Sequence, residues 1–361
     1  MSQSEGTNPT DGREELKRQL AAGEYKSSID VILEVVGRIL QKLTRRTKPP
    51  APWISALTIS LLISLIAVLS SLLTGGMSRH GFRTVALGGT LVFFNSLIAK
   101  TTFDRAFVTL QDQLLDELES STGLTGIQDW LVAAGDLKRP ALIGFFIYAA
   151  YVAFISPNPI DSPGPVYIAV MGGFMLLWTG FLLYFMVLFA ILTLRLGRCQ
   201  FKLHTEDPVS TEVVEDWSGM MSFAAYMFAF MLATGTLFTV TMETYRLRAL
   251  FFVIPRWLPL IALFVVNQVA ISGVITRSKR KSLNEVEVQM AALRPGANPP
   301  EHDTMETLLW LWDYRDRIKG TRSTILDIMG IVNLVNTLLI PLLAFLVANR
   351  EVIFELLGWS I

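Results

Sequence analysis

An all-α, multi-pass transmembrane bundle is what the residue pattern of this chain predicts. Of its 361 residues 52% are hydrophobic and only 17% charged, and the apolar excess falls into discrete runs of bilayer length. Lys and Arg cluster beside some of these runs and are missing beside others, the asymmetry that orients membrane proteins. The run 325–348 adds a third sign, because it combines spanning length with internal polar groups. Asn333, Asn336 and Thr337 share one helical face there, Gly330 lies a turn earlier, and Pro341 invites a kink a turn later. An amide without a partner in hydrocarbon costs several kcal/mol, so this face is predicted to meet another helix, another subunit or a wet cavity.

Residues 1–26 open as a Ser, Thr, Asn, Pro and Gly-rich stretch and are predicted to form a mobile N-terminal lead. Residues 27–52 hold a cytoplasmic amphipathic helix: Ile29, Ile32, Val36, Ile39, Leu40 and Leu43 recur at steps of three and four, with Asp30, Glu34, Arg38 and Lys42 between them. That stripe suits packing on the protein's own cytosolic surface, or else anchoring on anionic lipid with help from Arg45, Arg46 and Lys48. Residues 53–99 supply spans 1 and 2. The first enters at Trp53, and the second, 84–99 with Gly88, Gly89 and Asn95, is short for a bilayer, so a re-entrant segment is the alternative.

Residues 100–139 become polar, yet Phe103, Phe107, Leu110, Leu114 and Leu118 keep helical spacing, which predicts a cytoplasmic helical segment packed against the N-terminal helix. Spans 3 to 6 occupy 140–276. Pro140 starts the third, and the loop 156–165 after it carries no Lys or Arg, as expected of an outer loop. The fourth run, 166–194, exceeds the ~20 residues a bilayer needs and must tilt or project, while Gly172, Gly173 and Gly180 within it offer close helix approach. Asp207 and Pro208 form an N-cap and N1 pair leading to the fifth span, 220–242. Three arginines, Arg246, Arg248 and Arg256, then fall in an outer loop that includes a brief apolar piece ending at Pro255, before a sixth span, 257–275, with Asn267 and Gln268 near its middle.

Arg277, Lys279, Arg280 and Lys281 follow as an inner-side anchor, which sets topology or binds anionic lipid. They open a cytoplasmic helical segment, 277–324, read as two pieces broken at RPGANPP. The second piece begins with Asp303 and Glu306 in a capping-box arrangement and carries Trp310, Trp312 and Tyr314. Residues 325–361 form span 7 and a short outer tail. The sum is about seven spans, N-terminus inside and C-terminus outside. A G-protein-coupled receptor has the opposite orientation. In topology alone, with no shared motif, the plan is similar to that of insect chemoreceptor-type channels.

No phosphate loop, Rossmann glycine pattern, nucleophile elbow or HExxH occurs, so neither an enzyme nor a cofactor is expected. The single cysteine, Cys199, excludes an intrachain disulfide. No metal site is assigned; the lesser candidates are His204, Glu206 and His302, in the acidic stretches HTED and EHD, were folding to bring them together. The absence of Asp, Glu, Lys and Arg from span centres disfavours proton coupling. The polar residues that remain there, Gly330 with Asn333, Asn336, Thr337, Asn267, Gln268 and Asn95, suit either a pore lining or interhelical bonding. The expected function is an oligomeric channel for ions or small solutes in the plasma membrane, with the last helix facing the path. The alternatives are a non-conducting scaffold or sensor with partner-binding cytoplasmic helices, and an uncoupled or sodium-coupled transporter. Expected partners are the bilayer, further copies of the chain and anionic lipids at the inner face, with no nucleic acid.

Overall fold

A computed structural model describes residues 9–45, 47–73, 79–119, 123–154, 166–204, 207–241, 246–293 and 302–321. Among these the chain is almost wholly helical: α1 (Pro9–Ala21), α2 (Ser28–Thr44), α3 (Pro52–Leu73), α4 (Arg79–Thr109), α5 (Leu124–Ala134), α6 (Lys138–Phe154), α7 (Val166–Leu196), α8 (Glu212–Thr241), α9 (Arg246–Ala292) and α10 (His302–Gly320). A π-helical turn, Leu110–Leu114, prolongs α4, and a short 3-10 turn, Pro208–Ser210, precedes α8. Five helices, α3, α4, α7, α8 and α9, are long and apolar enough to cross a membrane. The segment 325–348 lies outside the described residues.

The lipid-type pattern is clearest in α3. Its buried positions are mostly small, Ser55, Ala56, Ser60, Ala67 and Ser71 beside one large residue, Ile63, while Leu61, Leu62, Leu65, Leu69 and Leu72 point outward. Small residues let helix backbones approach, and large apolar ones lose nothing by facing lipid. Ser60 accordingly donates to the carbonyl of Gly89 on α4 at 2.7 Å. The α6 helix has 17 residues, just short of a full crossing, and packs closely on α7 through Gly144 and Gly180. Of the three α7 glycines singled out above, Gly180 and Gly173 meet α6, whereas a Cβ on Gly172 would meet no atom within 4 Å.

Several segments differ from the sequence expectation. Within 1–26, α1 is an ordered part of the fold: Leu16 and Leu20 are buried in the core and Lys17 pairs with Asp116 at 2.6 Å. Polar composition concealed two apolar anchors spaced one turn apart. The second span is not short, because α4 runs unbroken from Arg79 past Lys100 to Thr109, long and apolar enough to cross a membrane. Lys100 does not end the helix; its ammonium bonds Asp30 of α2 at 2.7 Å and Asp104 one turn on at 2.9 Å. No helix break occurs at Pro255, and α9 runs 47 residues through Pro255 and Pro259. Proline removes one backbone bond, which neighbouring groups in an apolar bundle make good.

On the stripe at 103–118, Phe103, Leu110, Leu114 and Leu118 are buried and Phe107 is partly buried, but the aromatic partners of Phe103 across the bundle come from α5 and α7 and not from the N-terminal helix: it lies edge-on to Phe185 with ring centroids 4.9 Å apart, beside Trp130 and Phe189. On α2, Ile29 and Leu33 are buried and Gly37 meets Ser55 of α3, while Val35, Ile39 and Leu43 remain exposed. A capping box between Ser27 and Asp30 starts that helix. Asp207 caps the 3-10 turn, accepting from the Val209 N–H, and α8 follows at Glu212. All the connecting segments on this side gather at one end of the bundle. Lys17 reaches Asp116, Leu118 forms an isolated bridge with Phe201, and Lys281 pairs with Glu119.

Candidate functional site: a polar cavity within the bundle

Helices α4, α7, α8 and α9 enclose a cavity of about 70 Å³ whose wall includes Asn95, Gly172, Trp178, Thr179, Gly235 and Arg256. The remainder of the lining is apolar, from Met175 and Leu176 to Phe238. Gly172 and Gly235 keep the space open, since a Cβ at either would meet no atom within 4 Å. Such a volume holds more than one water, each of which needs roughly 10–15 Å³ by this measure.

Two residues of that wall carry polar atoms, Asn95 Oδ1 and Trp178 Nε1, that are buried without a hydrogen-bond partner among the described residues. One is an acceptor and the other a donor. Thr179 is already satisfied, its hydroxyl donating to the Met175 carbonyl at 2.8 Å. Arg256 is the one formally charged residue of the described wall. Sequence reasoning found Asn95 as an amide in an apolar run but missed Trp178 and Arg256. An indole inside such a run still needs a partner for its N–H, which was the available signal. Arg256 was read as the last residue of an outer loop, just before the sixth span.

Asn267 and Gln268 also carry buried, unpartnered carbonyl oxygens among the described residues, but they do not line this cavity. They lie about 16 Å further along α9 than Arg256, near Ala270, which meets Gly197 at the end of α7. Gly330, Asn333, Asn336 and Thr337 lie outside the described residues.

The basic anchors have specific partners inside the protein. Arg277 donates to the Gly197 carbonyl, Lys279 to the carbonyls of Lys319 and Thr321 at 2.9 and 2.8 Å, and Lys281 to Glu119 at 3.3 Å. Arg277 and Lys279 thus meet carbonyls at or just beyond the C-termini of α7 and α10, where the helix dipole is negative. Arg280 is exposed. Arg45 adopts the left-handed C-cap of α2, Lys48 is exposed, and Arg46 lies outside the described residues.

His204 is exposed and only its backbone N–H is engaged, by Thr211 Oγ1 at 3.0 Å. Glu206 and the side chain of His302 lie outside the described residues, and the described residues hold no group of three metal-ligating side chains. Burial pushes the Cys199 thiol up to about 11, against the opposing pull of Arg277. Comparison with known protein families, curated proteins and solved structures finds no match to this chain.

Proposed function

We propose that the protein is a helical membrane channel for small solutes, assembled from several copies of the chain, with the cavity between α4, α7, α8 and α9 as a hydrated station on its route. The observation that carries this reading is the pair of unpartnered atoms, Asn95 Oδ1 and Trp178 Nε1, on residues that wall one cavity. Left dry in an apolar bundle each costs several kcal/mol, whereas water or a polar solute that reaches them satisfies them. Apart from Arg256, which is already engaged within the protein, the described lining is uncharged, so the wall suits a small neutral solute. The polar face of 325–348 would supply a further part of the path.

Purified protein in liposomes should show flux of a small neutral solute exceeding that of potassium. Asn95→Leu should lower that flux severalfold while melting temperature and oligomer size stay unchanged, because an amide facing water gives up no protein partner. Lost assembly with Asn95→Leu, together with a parent protein that passes nothing, would leave the amide as interhelical glue and remove the channel reading.

A further inference from the structure

Beyond the first turn of α6 lies a second and far larger space, of about 970 Å³, walled by α5, by the stretch 184–195 of α7 and by the segment joining α1 to α2. That volume is at the upper end of the ~300–1,000 Å³ usual for small-molecule sites. Its walls are fixed in place: Trp130 Nε1 donates to the Leu188 carbonyl at 2.7 Å and the Tyr184 hydroxyl to the Ala133 carbonyl at 2.8 Å, clamping α5 to α7.

The lining has two characters. Leu131, Val187, Leu188 and Ile191 form an apolar band, and Val187 is 48% exposed although it projects from an apolar helix. Lys26, Arg139 and Arg195 balance Glu24, Asp129 and Asp136 around the remainder. Arg139 stands at the rim, its side chain two-thirds exposed and 3.1 Å from Asp136. From that rim α6 carries Leu142, Phe145 and Phe146 outward, each more than half exposed. A soluble polar ligand gains nothing from the apolar band, and a hydrocarbon gains nothing from paired charges of both signs. An amphiphile uses both, and one already in the bilayer meets the site directly below the exposed face of α6.

We propose that this pocket seats the headgroup and glycerol of a phospholipid from the leaflet that meets the N-terminus of α6, with its acyl chains lying over Leu142, Phe145 and Phe146. The guanidinium groups of Arg139 and Arg195 take the phosphate, the anion whose geometry they match in pairs. The Tyr25 phenol, its pKa raised by burial and by Glu24 and Glu15, stays neutral beside it and donates to Gln19 Oε1 at 3.1 Å. Asp129 and Asp136 take the ammonium of a zwitterionic headgroup.

The test measures bound phospholipid per chain, by native mass spectrometry and by phosphorus content, on full-length protein washed in lipid-free detergent. The parent should keep about one phospholipid per chain, and phosphatidylethanolamine should be held in preference to phosphatidylglycerol when both are offered. Val187→Trp, which fills the space from an exposed position, and Arg139→Gln should each weaken retention about tenfold. Leu62→Trp, on the outward face of α3, should leave it unchanged. No lipid on the washed parent, or full retention in Arg139→Gln, would overturn the proposal; so would displacement of the lipid by millimolar inorganic phosphate alone, which would make the site one for free anion. Because Arg139 is exposed, its variant decides the matter even if Val187→Trp fails to fold.

Discussion

At the residue scale, Gly144 and Gly180 set how closely α6 approaches α7. A Cβ on Gly144 would lie 2.6 Å from the Leu177 carbonyl oxygen, and one on Gly180 would meet the backbone of Gly144 and, at 2.9 Å, the Pro140 carbonyl oxygen. Backbone cannot yield as a side-chain tip can, so Gly180→Leu should push the two helices apart and destabilise the protein by about 2–4 kcal/mol. Gly219 is the contrasting case, because a Cβ there meets nothing within 4 Å. Gly219→Ala should hold or raise the melting temperature in detergent, by the ~0.5–1 kcal/mol that alanine gains over glycine in a helix. Equal losses from both substitutions would refute the packing account. The spacing of glycines showed that some would sit at a crossing, but not which, since the partner's position is absent from a one-dimensional pattern. The same holds for Asn95, which was visible alone, while only the fold puts it in one wall with Trp178 and Arg256.

At the scale of elements, helix boundaries proved less legible than helix identities. Hydropathy reports the solvent around a segment, whereas backbone continuity depends on propensity and packing, and the two part company at Lys100 and again at Arg277. In both places charge marks a change of surroundings while the helix runs on. The continuation of α9 has a purpose visible in its partners, since Val286 is buried with Leu311 and Ile318 of α10. Lys279 closes that contact by donating to two carbonyls at the end of α10. Lys279→Met should remove those charge-assisted bonds and the favourable dipole interaction, together worth about 1–2 kcal/mol. Amide exchange should accelerate across 302–321 and remain unchanged in α3 and α7, because opening of a peripheral helix is local. Exchange that rises everywhere, or nowhere, would show that Lys279 is not what holds α10.

At the scale of the whole molecule, the question is which helices cross and in what sense. Because α1, the segment after α4, the segment after α7 and the continuation of α9 meet at one end, α3 with α4, α6 with α7 and α8 with α9 each leave that end and return to it. If all six cross a bilayer, this end lies on one side and the connections 74–78, 155–165 and 242–245 on the other. Basic residues favour the inside for the gathered end: Arg195, Arg198 and Lys202 surround the end of α7, while 156–165 has none. Single-cysteine labelling reads this directly, because Cys199 is the one native cysteine, is buried, and keeps its proton until the pH approaches about 11. The native protein should therefore react slowly with maleimide at neutral pH, the thiolate being the nucleophile, and give a low background. In intact cells an impermeant maleimide should modify Ser162→Cys, and should modify Ser210→Cys, which is exposed beside α8, only after the membrane is opened. Reaction at both positions in intact cells would mean that α7 does not separate them, and the reverse pattern would invert the orientation. Ser360→Cys should side with Ser162→Cys if 325–348 crosses, because a seventh passage puts the last residue opposite the gathered end. If it sides with Ser210→Cys instead, the polar face of Asn333, Asn336 and Thr337 does not belong to a crossing helix, and the proposed path would have to be built from the six helices alone.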